Sequence, residues 1–236
     1  MDIELREVLD TPLVLWRPGP GWRMLSSSPV GGGLGTREWV LNAQVPASYA
    51  RTDLDTHLGE LSAACGLRGR GVGMLTAASV RHHARAEESG VSAVATVGLS
   101  VPTWAADYRR TVPAPRPGPG TVNVVAVLPV PLEDAALVNA VMTATEAKTQ
   151  ALLEAGFACT GTASDAVCLA VPQPGATARR EPFCGPRSLW GARLARVVHT
   201  SVLRGALSWL ERHPDRTTTA SVRAGTAPAG SAQSPA

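Results

Sequence analysis

Residues 143–153, TATEAKTQALL, form the centre of a predicted helix over about residues 132–155 and contain the only lysine of the chain, Lys148. All other basic residues are arginines. Asp134 falls in the first turn of this helical pattern and Gly156 follows it, and both are usual signals for the ends of a helix. The lysine is therefore expected on a regular helix, beside a glutamate.

The predicted helix has two faces when its residues are placed at about 100° per residue. The apolar sector contains Leu137, Val138, Val141, Met142, Leu152 and Leu153, and the polar stripe contains Asn139, Thr143, Glu146 and Gln150. Lys148 and Thr145 fall inside the apolar sector. A lysine there must carry its charge to solvent, find an anionic partner or lose its proton. Glu146 is two positions away and faces elsewhere, so the first carboxylate after the helix, Asp165, is the candidate partner. The alternative is a lysine stem over apolar surface with its head in water.

Seven short apolar runs rich in Val and bounded by Gly or Pro predict β-strands. They cover residues 13–16, 22–26, 39–45, 71–76, 93–99, 122–128 and 166–171. Most do not alternate, so burial on both faces is expected. Helices are predicted over about 53–65, 77–89, 132–155 and 187–212. The pattern predicts one α/β domain over residues 1–212, with α+β as the alternative, in which helices pack on a mixed β-sheet. Residues 213–236 are of low complexity and are expected to be a disordered tail.

Composition narrows the function classes. Hydrophobic residues make up 44% of the 236 residues, charged residues 17%, and the net charge is +3. The arginines are scattered and no block of like charge occurs, which argues against a nucleic-acid partner. No apolar run reaches the length of a membrane span, and the acidic N-terminus lacks a signal pattern. The four cysteines have no CxxC spacing, so we expect reduced thiols in the cytoplasm.

The stretch SSSPVGGGLG, residues 26–35, follows a predicted strand and is the most unusual in composition. It does not match the dinucleotide fingerprint because Thr36 stands where a glycine is needed, and no P-loop lysine follows. The amides of Gly31, Gly32 and Gly33 can nevertheless point into a concavity and hold a carbonyl or an oxyanion. A flexible turn is the alternative.

Histidine and carboxylate residues at helical spacing suggest metal ligands in two places. They are His82 and His83 with Glu87, and His57 with Glu60. Solvent-facing helix surfaces commonly have the same spacing, and neither set has the pattern of a known zinc motif. We therefore predict no metal site.

Several segments, in their order, resemble the adenosylcobinamide amidohydrolase family. They are SSSPVGGGLG, WVLNAQV, GVGMLTAA, ATVGLS, GTVNVVAVLP, and TEAKTQALLEAG followed by GTASDAV. The resemblance covers about residues 22–210, and its specific part is TEAKTQAL with GTASDA downstream. Two positions depart from the family pattern. Val101 and Pro102 follow TVGLS, where the family often has Asn, and Ser164 replaces a threonine but keeps a hydroxyl.

The resemblance implies an amidohydrolase that cleaves the amide between a corrin propionyl side chain and aminopropanol. Its products would be adenosylcobyric acid and 1-amino-2-propanol, in the salvage of corrinoids. The corrinoid is then the substrate, and no cofactor of the protein is implied. Two alternatives remain: a corrinoid- or small-molecule-binding protein without catalysis, and an amidohydrolase that acts on another acyl-amine.

Amide hydrolysis needs an activated nucleophile, donors for the tetrahedral oxyanion and a proton for the leaving amine. The candidate catalytic residues are Glu146 or Asp165 as the general base and Lys148 as a group that orients an acid or steadies negative charge. The candidate substrate-binding residues are Gly31, Gly32, Gly33, Asn42, Thr76, Thr96, Asn123, Thr145, Thr162 and Ser164. Attack by water and formation of an acyl-enzyme both remain open.

Overall fold

Two mixed β-sheets contain the strands of the residues that the computed structural model describes, which are 1–107, 120–175, 177 and 179–216. The first sheet has the order β1-β2-β5-β6 and consists of β1 (Glu4–Val8), β2 (Thr11–Trp16), β5 (Trp39–Gln44) and β6 (Gly71–Thr76). The second has the order β4-β3-β10-β9-β8-β7 and consists of β3 (Trp22–Ser26), β4 (Gly33–Thr36), β7 (Ala84–Glu88), β8 (Val91–Gly98), β9 (Thr121–Val127) and β10 (Ala166–Pro172). The pairs β5–β6 and β9–β10 are parallel and the other pairs are antiparallel.

Helices cover the outer faces of both sheets, so the fold has four layers. Helix α1 (Leu54–Ala64) packs on the first sheet, while α2 (Asp134–Glu154) and α3 (Leu189–Arg212) pack on the second. No helix in the described ranges is long and apolar enough to cross a membrane. The predicted α/β class is confirmed, although the strands are divided between two mixed sheets where the sequence suggested one.

The strands are buried on both faces, as their continuous apolar runs predict. In β2, Leu13 and Leu15 join the core beneath α1, whereas Trp16 points between the sheets with Met24 of β3 and Met74 of β6. A strand places successive side chains on opposite faces. Each central strand therefore serves two apolar layers at once, which explains the absence of alternating polar residues.

A buried amide network joins the two sheets across their interface. Asn123 of β9 donates through Nδ2 to Asn42 Oδ1 at 3.0 Å and to the Leu75 carbonyl at 2.9 Å, and its Oδ1 accepts from the Ala166 amide at 3.2 Å. Asn42 Nδ2 donates to Thr96 Oγ1 at 2.9 Å. Buried amides require such partners, so these bonds fix how one sheet lies on the other.

The predicted helix over residues 77–89 is wrong. A single 3-10 turn, Val80–His82, leads into a hairpin of β7 and β8. The two residues that join these strands, Ser89 and Gly90, have φ values of 48° and 83°. Positive φ at both positions is the geometry of a tight hairpin turn. Strand pairing within the sheet therefore outweighed the helical propensity of ARAEE.

The predicted faces of α2 are partly wrong. Val138, Met142 and Leu153, assigned to the apolar sector, are exposed, and Thr145 is exposed as well. Thr143, assigned to the polar stripe, is buried and donates to the Cys184 carbonyl at 2.9 Å. The buried face is made mainly of small residues, namely Ala136, Ala140, Ala144, Ala147 and Ala151. A face built on alanine lets the helix approach its neighbours closely, and large apolar residues alone do not mark it.

Two edge strands, β1 and β4, were not predicted. In β1 (ELREV) half-buried residues alternate with the exposed Leu5 and Glu7, and β4 is the glycine-rich GLGT. Beyond α3, Pro214–Arg216 form a short 3-10 turn. Residues 217–236 of the predicted tail lie outside the described residues, so the domain boundary at residue 212 stays a prediction.

Replacement of Asn123 tests whether the amide network holds the sheets together. Asn123→Ala removes the side-chain partners of the Leu75 carbonyl, the Ala166 amide and Asn42 Oδ1, and each buried unsatisfied group costs about 1–3 kcal/mol. We expect the unfolding free energy in urea to fall by about 3 kcal/mol or more. The matched control is Asn139→Ala, which removes one bond, at 3.3 Å, from a half-buried side chain. Its expected loss is about 1 kcal/mol, and equal losses for the two variants would contradict the assignment.

Candidate active site

One end of the two-sheet stack brings together most of the residues that the sequence singles out. The chain leaves β5, β6 and β8 at this end and enters β9 and β10 there, as the bonds among Asn42, Leu75, Thr96, Asn123 and Ala166 require. The start of β10 is also where Asp165 lies. Ends of several strands and the loops between them thus converge on one small region.

An ion pair between Lys148 Nζ and Asp165 Oδ2 lies at the centre of this region. The side chains are 8% and 11% exposed. Lys148 projects from the inner face of α2, and Asp165 directly precedes β10. The partner expected from the helix pattern is confirmed, and the alternative of a lysine head in water is wrong. A charge removed from water in this way needs a partner, because its desolvation is otherwise costly.

Asp165 has all its acceptor positions engaged. Its Oδ1 accepts from the Val122 amide at 2.9 Å and from Thr162 Oγ1 at 2.5 Å. Its Oδ2 accepts from the Thr162 amide at 3.1 Å and from Lys148 Nζ. A carboxylate has about four lone-pair sites. Asp165 is therefore held as a fixed anion, and it would have to break one of these bonds to take a proton from water.

Lys148 differs from its partner because it keeps donors to spare. An ammonium has three N–H groups. Within the described part of the chain, its one hydrogen-bond acceptor is Asp165 Oδ2. Gly161 closes one side of the pair, since a Cβ at that position would lie 2.2 Å from Asp165 Oδ2 and 2.5 Å from Lys148 Nζ. The arrangement presents a fixed, desolvated cation with two unused N–H groups.

Hydroxyl groups line the rim beside the ion pair. Thr121 Oγ1 and Ser164 Oγ are 2.8 Å apart, and Ser164 Oγ also donates to the Gly120 carbonyl at 3.2 Å. Ser164 is exposed, whereas Thr121 is buried. Thr162 donates to the Asp165 carboxylate through both its amide and its hydroxyl. Of the predicted substrate-binding hydroxyls, Ser164 is therefore the one on this rim that solvent reaches most freely.

The serine and glycine loop borders the same strand. Val167 of β10 donates through its amide to Ser27 Oγ at 3.1 Å and accepts from the Ser27 amide at 3.0 Å. At the tip of the loop Gly31 packs on the first sheet, where a Cβ would lie 1.9 Å from the Gly71 carbonyl oxygen, while a Cβ on Gly32 would lie 2.4 Å from the Ser28 carbonyl oxygen. Gly31 has a φ of 68°. Close approach and positive φ explain these glycines, and an oxyanion-binding role for their amides stays a prediction.

Four predicted substrate-binding residues lie beneath the rim. Asn42, Thr96 and Asn123 use their side chains in the network between the sheets, and Thr76 Oγ1 accepts from the Ala78 amide at 3.0 Å. All four are at most 5% exposed. The geometry places them as supports of the region, and a direct contact with substrate stays a prediction.

Glu146 lies on the opposite side of α2 from Lys148, whereas Thr145, three positions before Lys148, lies on an exposed part of the helix surface. Glu146 lines a groove of about 700 Å³ between α2 and α3, with Glu87 and His199 among its neighbours. Thr145 is exposed and donates to the Val141 carbonyl at 2.8 Å. Positions two apart on a helix face different directions, so the structure does not bring Glu146 to the ion pair. Among the described residues no His, Cys, Asp and Glu side chains gather in threes as metal ligands.

A buried thiol, Cys159, lies close to the ion pair in the chain segment that leads to Gly161. Burial raises the pKa of the Cys159 thiol, and the Asp165 charge acts in the same direction. The thiolate is the nucleophilic form of cysteine. The environment of Cys159 thus disfavours its thiolate, and the buried side chain belongs to the core beneath α2 and α3.

The sequence argument missed Gly161 and Thr121, and it assigned no role to the Val122 amide. The GTASDAV motif contains Gly161, so its place in the motif was the available signal. The other two contacts arise because β9 and β10 are parallel neighbours. Only the register of that pair brings Val122 to Asp165.

Replacement of Gly161 tests how tightly the backbone covers the ion pair. A Cβ there must displace Asp165 or Lys148, and forced overpacking typically costs about 1–3 kcal/mol. We expect Gly161→Ala to lower the unfolding free energy by that amount in urea denaturation. Gly175→Ala is the matched control, because a Cβ at Gly175 meets nothing within 4 Å. A Gly161→Ala protein as stable as the Gly175→Ala protein would show that the cover is loose.

Comparison with known proteins finds relatives that match most of the chain. A family model described as adenosylcobinamide amidohydrolase matches residues 2–214. The adenosylcobinamide amidohydrolase of Halobacterium salinarum is 37% identical over 196 residues, which cover 80% of this chain and 82% of the relative. That of Methanosarcina mazei is 28% identical over 185 residues, which cover 76% of this chain and 88% of the relative. The chain belongs to the adenosylcobinamide amidohydrolase family.

Proposed function

We propose that this protein hydrolyses the amide of adenosylcobinamide that joins the corrin propionyl group to 1-amino-2-propanol. Water supplies a hydroxyl to the acyl carbon, the C–N bond breaks, and the amine leaves with a proton. The products are adenosylcobyric acid and 1-amino-2-propanol. The observation that carries the proposal is the Lys148–Asp165 ion pair, because the two most specific family segments, TEAKTQAL and GTASDA, meet in it. Family membership supports the choice of substrate.

Lys148 is the proposed catalytic residue. A tetrahedral intermediate places negative charge on the former carbonyl oxygen, and fixed donors in a water-poor site stabilise that charge strongly. The ammonium of Lys148 has two N–H groups available and is already held in place. Its proposed role is to donate a hydrogen bond to the oxyanion, so that the cost of orienting the donor is met during folding.

Asp165 is proposed to hold Lys148, and its four hydrogen bonds argue against its use as a base. Glu146, the other candidate base, lies on the far face of α2 and takes no part in this scheme. The corrinoid is the substrate, and the proposal requires no further cofactor. The reaction is assigned to the cytoplasm, where the four buried, unpaired thiols stay reduced.

The first test is product analysis by mass spectrometry after incubation with adenosylcobinamide. Wild-type protein is expected to yield adenosylcobyric acid. Lys148→Ala and Asp165→Asn are expected to lose about 100-fold or more in kcat/KM, the usual effect of removing an oxyanion donor or its support. Glu146→Gln is expected to stay within about threefold of wild type.

The outcomes separate the candidate functions. Intact cobinamide that remains bound to the wild-type protein would indicate a binding protein without catalysis. Turnover of other acyl-amines but not of cobinamide would indicate a different amidohydrolase. A large loss of activity in Glu146→Gln, with Lys148→Ala little affected, would move the catalytic centre to the groove between α2 and α3.

Lys148→Arg tests why this position holds the only lysine. Gly161 leaves no room on its side of the ammonium, and a guanidinium is larger and planar. We expect this variant to fold but to lose at least about 30-fold in kcat, since the charge remains while the donor position shifts. Circular dichroism and urea unfolding check the fold, and steady-state kinetics check the rate. Wild-type kcat in this variant would contradict the proposed geometry.

A further inference from the structure

The segment Ser100–Ala105 runs from one side of the Asp165 carboxylate to the other. We call it the strap. Its first residues pack on Gly120, where a Cβ would lie 3.2 Å from the amides of Ser100 and Val101. Gly120 stands two positions before Val122, whose amide bonds Asp165 Oδ1. The strap includes Val101 and Pro102, where this chain departs from the family pattern.

The other end of the strap is tied to the backbone that covers Lys148. Thr103 donates through its amide to the Gly161 carbonyl at 2.8 Å and accepts from the Thr160 amide at 3.0 Å. Ala105 donates through its amide to Thr160 Oγ1 at 2.8 Å. Thr160 is in turn held to α2, because Thr149 Oγ1 donates to the Thr160 carbonyl at 3.2 Å. The strap is thus fastened at both ends beside the ion pair.

Trp104 sits in the middle of these fastenings and is 40% exposed. Its two sequence neighbours, Thr103 and Ala105, carry the hydrogen bonds to Thr160 and Gly161. The backbone on both sides of Trp104 is therefore held in place, while much of the indole surface remains in water. A large exposed aromatic side chain on an anchored backbone is a common contact for a ligand, because it has only two side-chain torsions to order on binding.

We propose that Trp104 determines substrate specificity by contacting the flat, largely apolar face of a macrocyclic substrate while the amide reaches Lys148. This inference rests on the proposed function, to which it adds a second point of attachment. A large substrate needs apolar walls as well as a few polar groups. The strap supplies such a wall directly beside the ion pair, through the one large aromatic side chain that it carries.

Two variants and a matched control test the proposal in kinetics with adenosylcobinamide. Trp104→Ala is expected to raise KM by about tenfold or more and to keep kcat within about threefold, because the lost contact is made equally in the ground state and the transition state. Trp104→Phe, which keeps a flat ring, is expected to stay within about threefold of wild-type KM. The control is Phe183→Ala, which removes a 71% exposed aromatic side chain outside the strap and should leave KM unchanged.

Equilibrium binding separates this inference from the proposed function. The Lys148→Ala protein, alone and combined with Trp104→Ala, is dialysed against adenosylcobinamide, and the corrin absorbance gives the bound fraction. The dissociation constant should rise about tenfold on loss of Trp104. Equal dissociation constants and equal KM values, with active wild-type protein, would overturn the role of Trp104 alone. A wild-type protein that neither binds nor hydrolyses the corrinoid would overturn the proposed function and this inference together.

Discussion

The ion pair between Lys148 and Asp165 is the constraint on which the arrangement of the site depends. Two charges that are each about one-tenth exposed must stay together, because separation would leave one of them buried and unpaired. This requirement fixes α2 against the start of β10. It also dictates glycine at position 161, where any side chain would lie against both partners. Helix, strand and covering backbone are thus positioned by one contact.

The two partners of the ion pair differ in how many hydrogen bonds they make, and this difference suggests a chemical role. Asp165 accepts four hydrogen bonds, whereas Lys148 donates to a single acceptor among the described residues and so has two further N–H groups. The fully hydrogen-bonded carboxylate of Asp165 holds the ammonium of Lys148 in one position. The ammonium is therefore preorganised, and it need not reorient when negative charge develops nearby. The neighbouring amide network of Asn42 and Asn123 extends this rigidity to the interface between the sheets.

Sequence patterns located the individual pieces but not their assembly. The Val-rich runs gave the central strands because strands buried on both faces must be apolar throughout. Strand β7 was mistaken for part of a helix, because only its pairing with β8 makes the extended form of ARAEE favourable. The buried face of α2 was misjudged because alanine marks a face by its small size, which a count of large apolar residues does not detect.

The sequence by itself determined the α/β class, the helix that carries Lys148 and the choice of Asp165 as its partner. These follow from periodicity and from the cost of burying an unpaired charge, which are local or pairwise properties. Only the tertiary structure decided that the strands form two sheets and that Val122 and Gly161 enclose the ion pair. Those facts depend on strand register and layer packing, which join residues far apart in the chain and leave no periodic signal in it.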